Sequence, residues 1–214
     1  NVITTTAFLL ENFNTNIIIK EVDSESVFER DALPILKSIL DVDVNVRHIF
    51  ERSNEPLFHR QRVLNEMIIE ADTEIVVNYD CDAILPLESY ELAYKGILDG
   101  IYDVVYPYAS GNYQYQVEQS DKIVSHFLET TDYEYLKSHS KIHEAQYGHV
   151  QFFNRDVYIK GGMENENFKA YAPEDKERFY RFTKLGYSVG RISNYIYHLE
   201  HSRGENSWFS NHHM

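Results

Sequence analysis

Strand-like and helix-like stretches alternate along most of this chain, and that alternation restricts its fold more than any composition figure. Residues 2–12 carry the spacing of an amphipathic helix, 16–22 (NIIIKEV) read as an apolar strand, and 30–40 as a helix with Pro34 near its first turn. Residues 44–50 alternate as a strand, 57–71 run at helical period, and 74–78 form an apolar run. A helix over 89–98, closed by Gly100, and a strand over 102–108 follow. This βαβα succession predicts an α/β fold with a mostly parallel central sheet, helices on both faces and right-handed crossovers. From 110 to 146 the pattern loosens into Tyr-, Ser- and acid-rich sequence with one helix near 121–128, so 109–146 reads as a variable, flexible insertion over the site. A strand at 150–153, a short helix at 155–160, a break at Gly161-Gly162, a helix at 174–185 and a strand at 192–199 complete the pattern. With 214 residues, no internal repeat and no linker, the expectation is one domain over 1–214.

Acidic residues outnumber basic ones 34 to 20, giving a formal charge of −14, and this argues against nucleic acid as a partner. An anionic small ligand stays compatible if a metal or a local Arg cluster reverses the field at one place. The single cysteine, Cys81, excludes an internal disulfide and a Cys-rich zinc site, and it fits a reducing compartment. No run approaches the roughly 20 apolar residues of a membrane span, and the start, Asn1-Val2-Ile3-Thr4-Thr5, does not read as a signal peptide. The expected location is cytoplasmic or peripheral to a bacterial inner membrane, with an upstream anchor left open because the sequence has no initiator Met.

The strand at 74–78 leads into Asp80-Cys81-Asp82 and is stopped by Pro86. Alternate strand residues share a face, so the two carboxylates project together if the strand is still extended there. At a strand's carboxyl end they lie where open α/β sheets bind ligands, and hard oxygens suit Mg²⁺ or Mn²⁺. Taken alone, the short pattern is more commonly a turn or a helix cap. His198 and His201, three apart near the final strand, can meet one cation if the backbone turns, or can be a solvated strand end. Glu174-Asp175 stands where a helix begins; the helix dipole favours acids there, and a general base is the functional alternative. Phe58-His59-Arg60-Gln61-Arg62 opens an earlier helix and offers a ring for stacking and two cations for a diphosphate, or simply surface charge and a staple.

Taken together, residues 45–207 resemble GT-A glycosyltransferases of the β-1,4-galactosyltransferase and polypeptide N-acetylgalactosaminyltransferase type. Phe58-His59-Arg60-Gln61-Arg62-Val63-Leu64-Asn65 is similar to that family's F-N-R-A-K-L-L-N, Asp80-Cys81-Asp82 to its D-V-D, and Gly161-Gly162 through Phe168 to its N-G-F-x-N-x-F. Tyr171-Ala172-Pro173-Glu174-Asp175 is similar to W-G-G-E-D, and His198-Leu199-Glu200-His201-Ser202-Arg203 to M-I-R-H-S-R. The resemblance implies a Rossmann-like GT-A fold with a nucleotide and metal half over about 1–108 and an acceptor half over about 147–214. It implies Mn²⁺ (or Mg²⁺) on Asp82, His198 and His201, nucleotide contacts from Phe58 and Arg60, Asp80 by the ribose or the metal's water shell, and Asp23 near the nucleotide. Asp175 would be the catalytic base and Glu174 would orient the acceptor. The implied activity is inverting transfer of galactose or N-acetylgalactosamine from UDP-galactose or UDP-N-acetylgalactosamine to a carbohydrate hydroxyl, in a setting such as bacterial polysaccharide synthesis. The alternatives are a non-catalytic sugar-nucleotide-binding protein and a metal-dependent phosphoesterase or nucleotidyltransferase. Two departures stand out: the W-G-G glycines and Trp are replaced by Tyr171-Ala172-Pro173, and the family's first strand, with its I-P-x-R segment, has no counterpart.

Overall fold

The computed structural model describes residues 1–41, 43–169 and 172–202. Helix α1 (Val2–Asn12) precedes β1 (Ile17–Asp23), which lies parallel to β2 (Val46–Arg52), Ile17 opposite Val46. Between the two strands a π-helical turn (Phe28–Ala32) runs into α2 (Leu33–Ile39), with Pro34 in the first turn. Ala7 and Leu10 of α1 pack there with Phe28, Leu36 and Leu40 in a small core of their own.

Helix α3 (Arg60–Glu70), β3 (Ile75–Tyr79), β4 (Ala83–Ile84), α4 (Leu87–Leu98) and β5 (Val104–Tyr106) follow. Next come β6 (Gly111–Val117), α5 (Asp121–Thr130), α6 (Tyr133–Ser138), β7 (Ser140–Ala145), β8 (Val150–Asn154) and α7 (Arg155–Lys160). Helix α8 (Glu174–Lys184), β9 (Val189–Arg191) and β10 (Ile196–Leu199) complete the described chain. The fold is α/β, but its sheets are mixed rather than mostly parallel. In the sheet ordered β3-β8-β5-β9, β8 runs antiparallel to both β3 and β5, and only β5 and β9 are parallel. The reason lies in the connection: the chain leaves β5 through the β6–β7 excursion instead of a helical crossover, so β8 returns in the opposite direction.

That excursion is ordered, contrary to the flexible insertion expected over 109–146. Strands β6 and β7 pair antiparallel, α5 and α6 fill their connection, and Val117, Ile123, Phe127, Leu136 and Ala145 join the main core. Its Tyr-Gln alternation hides a strand that places Tyr115 and Tyr197 in register across β6 and β10, rings 5.3 Å apart. Tyr106, Tyr108 and Tyr158 are fully buried, so these tyrosines are core residues. Leu85, Val105, Phe153 and Ile196 are wholly buried in the same core, each worth about 1.5–3 kcal/mol of apolar burial. Gly161 is required where α7 meets α8, because a Cβ there would lie 2.6 Å from the Phe182 ring.

Two features place the site. Strand β3 ends at Tyr79, one residue before the acidic pair, and the chain turns so that Ala83 N donates to Asp80 O at 3.1 Å. Strand β10 then pairs with β4, His198 opposite Ala83, and Leu199 N donates to Asp82 O at 2.7 Å. The N-terminal helix is tied to the same place: Asn1 Nδ2 donates to Leu199 O at 2.8 Å and Thr5 Oγ1 to Cys81 O at 3.0 Å. Tyr171, Arg203 and the His212-His213 pair lie outside the described residues. Among the described residues no helix is long and apolar enough to cross a membrane.

Candidate active site

The β3–β4 turn and the end of β10 bring Asp82, His198 and His201 together, with their potential ligand atoms all within 4.8 Å of one another. Both imidazoles address one carboxylate oxygen: His201 Nε2 lies 3.1 Å and His198 Nε2 3.4 Å from Asp82 Oδ2. The other oxygen, Oδ1, is buried and has no hydrogen-bond partner among the described residues. A buried carboxylate oxygen left open beside two imidazoles is what a divalent cation would satisfy, so the residues fit Mn²⁺. Burial raises the Asp82 carboxyl, but the His198 hydrogen bond and the charges of His198, His149 and His201 together hold it below the usual range. Glu200 Oε1 lies 3.5 Å from His198 Nδ1, placed to orient that ring.

Asp80 faces a different set of partners because the pair lies in a turn and not along one strand face. Arg60 Nη2 donates to Asp80 Oδ1 at 2.6 Å, and the His149 backbone N donates to Asp80 Oδ2 at 3.1 Å. Arg60 also reaches the start of α8, with Nη1 3.5 Å from Glu174 Oε1 and 3.8 Å from Asp175 Oδ1. Its neighbour Arg62 turns away and bridges Glu51 and Glu66, a structural role.

The carboxylate pair opens α8. Glu174 is 6% exposed, and burial, reinforced by the charge of Asp175, pushes its carboxyl up to about 7 against the pull of Arg60 and Arg178. Asp175 Oδ1 accepts from Arg178 Nη2 at 2.7 Å, while a Cβ at Gly148 would lie 3.1 Å from its Oδ2. A carboxyl raised in the folded state adds stability below about pH 4.5 that is lost as pH rises through 7. Glu174→Gln is therefore expected to stabilise the protein by about 2–3 kcal/mol at pH 8 and negligibly at pH 4, read by urea unfolding at both values.

Arg178 is itself fixed from below. Its Nη1 donates to Glu164 Oε1 at 2.6 Å and its Nη2 to Gln151 Oε1 at 2.9 Å, with Arg178 and Glu164 side chains each 1% exposed. Glu164 Oε1 accepts from Tyr158 and, at 3.0 Å, from Asn78 Nδ2. Asn65, the last residue of the Phe58–Asn65 segment, clamps the same turn: Glu164 N donates to Asn65 Oδ1 at 2.8 Å and Asn65 Nδ2 to Glu164 O at 3.0 Å.

Of the residues singled out from sequence, Asp80, Asp82, Arg60, Glu174, Asp175, His198 and His201 form one connected cluster. Phe58 is half-buried in the segment entering α3. Asp23 ends β1 with its carboxylate taken up by Ser24 N at 2.6 Å and Ser24 Oγ at 3.2 Å, so the structure does not join it to the site. Sequence reasoning missed His149, Gln151, Glu164 and Arg178. Only Arg178 left a trace, the i,i+3 spacing that puts it on the Asp175 face of α8.

No family model and no curated protein matches the chain. Solved structures do. A GalNAc-T7 structure with UDP, GalNAc and Mn²⁺ superposes with a TM-score of 0.56 at 10% identity, over 90% of this chain and 38% of that one. S. aureus TarS, residues 1–349 with UDP-GlcNAc, gives 0.53 at 11% identity, over 97% and 55%. The catalytic domain of Drosophila β1,4-galactosyltransferase 7 with xylobiose gives 0.41 at 15% identity, over 84% and 67%. The chain thus spans about two fifths of the GalNAc-T7 chain and about half of the TarS chain. At such identities the likeness concerns the fold, and the fold of this chain is that of the GT-A glycosyltransferases.

Proposed function

We propose that the chain is a metal-dependent inverting glycosyltransferase that moves galactose or N-acetylgalactosamine from a UDP-sugar to a carbohydrate hydroxyl. The observation that carries this reading is that a metal-competent Asp82/His198/His201 set lies next to Asp80, and Arg60 bridges Asp80 to the Glu174/Asp175 pair. The UDP and Mn²⁺ of the GalNAc-T7 structure and the UDP-GlcNAc of the TarS structure favour a uridine nucleotide as donor.

A bound Mn²⁺ would supply charge neutralisation for the diphosphate. Arg60 adds a second positive charge beside it and Phe58 borders the nucleotide, with Asp80 near the ribose or the metal's water shell. Asp175, fixed by Arg178, takes the proton of the acceptor hydroxyl as that oxygen attacks the anomeric carbon opposite UDP. Glu174, titrating near neutrality, both accepts and donates hydrogen bonds and so orients the acceptor. One displacement inverts the anomeric centre.

The test is UDP release from a panel of UDP-sugars, with an acceptor set, in Mn²⁺ or EDTA. Release is expected with one sugar and Mn²⁺ only, and Asp175→Asn should lower it about 10²–10⁴-fold while UDP binding persists. Binding of UDP without turnover would identify a sugar-nucleotide-binding protein, and production of UMP a phosphoesterase or nucleotidyltransferase.

A further inference from the structure

We infer that His149 is a third imidazole ligand of the cation centred on Asp82, an inference that rests on the metal-dependent reading above. His149 forms with Asp80 and Asp82 a second set whose ligand atoms lie within 4.8 Å of one another, and that set shares Asp82 with His198 and His201. Two imidazoles bound to one ion through nitrogens about 2.1 Å away keep their ring centroids within roughly 6.5 Å. The His149 and His198 centroids are 5.4 Å apart and the His198 and His201 centroids 6.1 Å, so each of these neighbouring pairs of rings lies within the span of one ion.

The backbone around His149 is built to hold it there. His149 has φ +67°, a left-handed conformation uncommon for a residue with a side chain, and strain of this kind gathers at functional sites. It is over-determined by an exchange of hydrogen bonds with the acidic turn: Asp80 N donates to His149 O at 2.9 Å, and His149 N to Asp80 Oδ2 at 3.1 Å. On the ring, Nε2 lies 3.0 Å from Gln114 Oε1, the position of an acceptor that fixes the tautomer and leaves the Nδ1 lone pair for the ion. Asp80 is already engaged through both oxygens by Arg60 and by this N–H, so the ligand added by the second set is the imidazole. One carboxylate and three imidazoles select Mn²⁺ over Mg²⁺ more strongly than oxygen ligands do.

The test uses His149→Gly, which the left-handed backbone accepts without strain, so thermal melting should show that the fold persists. Mn²⁺ titration with saturating UDP, followed by electron paramagnetic resonance, is expected to show affinity weakened about 10–100-fold in the variant. Gln114→Ala should weaken it about tenfold. Electron spin-echo modulation should count three histidine nitrogens on the wild-type Mn²⁺ and two in His149→Gly. A wild-type centre with two nitrogens, or a variant affinity within twofold of the parent, overturns the inference and leaves the transferase reading intact. A wild-type protein that binds no Mn²⁺ overturns both.

Discussion

Asp82→Ala is expected to lower Mn²⁺-supported turnover at least about 10³-fold and to remove measurable Mn²⁺ binding, while the fold persists. The activity figure follows from the several kcal/mol that a divalent cation contributes to a departing diphosphate, at 1.36 kcal/mol per tenfold. The persistence of the fold follows from opposing terms at the residue. Burial penalises the Asp82 charge, and the surrounding imidazoles attract it, so deleting the carboxylate removes a cost together with a gain. Melting temperature and calorimetric Mn²⁺ titration on the same sample separate the two effects. A variant that retains more than a tenth of the activity would show that the reaction does not depend on this centre.

Arg178→Met is expected to give the largest loss of stability of any single substitution at the site, about 3–5 kcal/mol. Arg178 and Glu164 are both removed from water, and the arginine also carries bonds to Gln151 and Asp175. Removing the cation leaves the Glu164 carboxylate buried with only Tyr158 and Asn78 as donors to its bonded oxygen. The double variant Arg178→Met/Glu164→Gln takes away both charges and should cost less than the sum of the two single variants. Urea unfolding of all three decides the matter, and additive losses would show that the two residues act independently.

The helices other than α6, and most strands, were legible because their apolar spacing is local information: α1, α7 and α8 stand within a residue of where periodicity puts them. The reversed direction of β8 was not legible, since strand direction depends on a connection whose Tyr-Gln alternation does not read as a buried strand. The acidic pair and the histidines at 198 and 201 were readable as short motifs, and a turn brings Asp82 beside His201 without the extended strand assumed for the pair. His149 and Glu164 left no such trace, because a histidine in a loop and an acid in a Gly-rich turn acquire meaning only from what folds over them. Glu174 and Asp175 were visible as a pair, yet their unequal surroundings depend on Arg178, Arg60 and Gly148, which come from three separate stretches of chain.

The tie between Leu199 and Asp82 bears on how the protein is made. A ribosome delivers Asp82 and His149 well before it delivers His198 and His201, and the early carboxylate lacks those two imidazoles until β10 is added beside β4. Contacts so distant along the chain form late in folding. A nascent or prematurely terminated chain therefore carries the acidic turn without the two histidines that complete the Asp82/His198/His201 set.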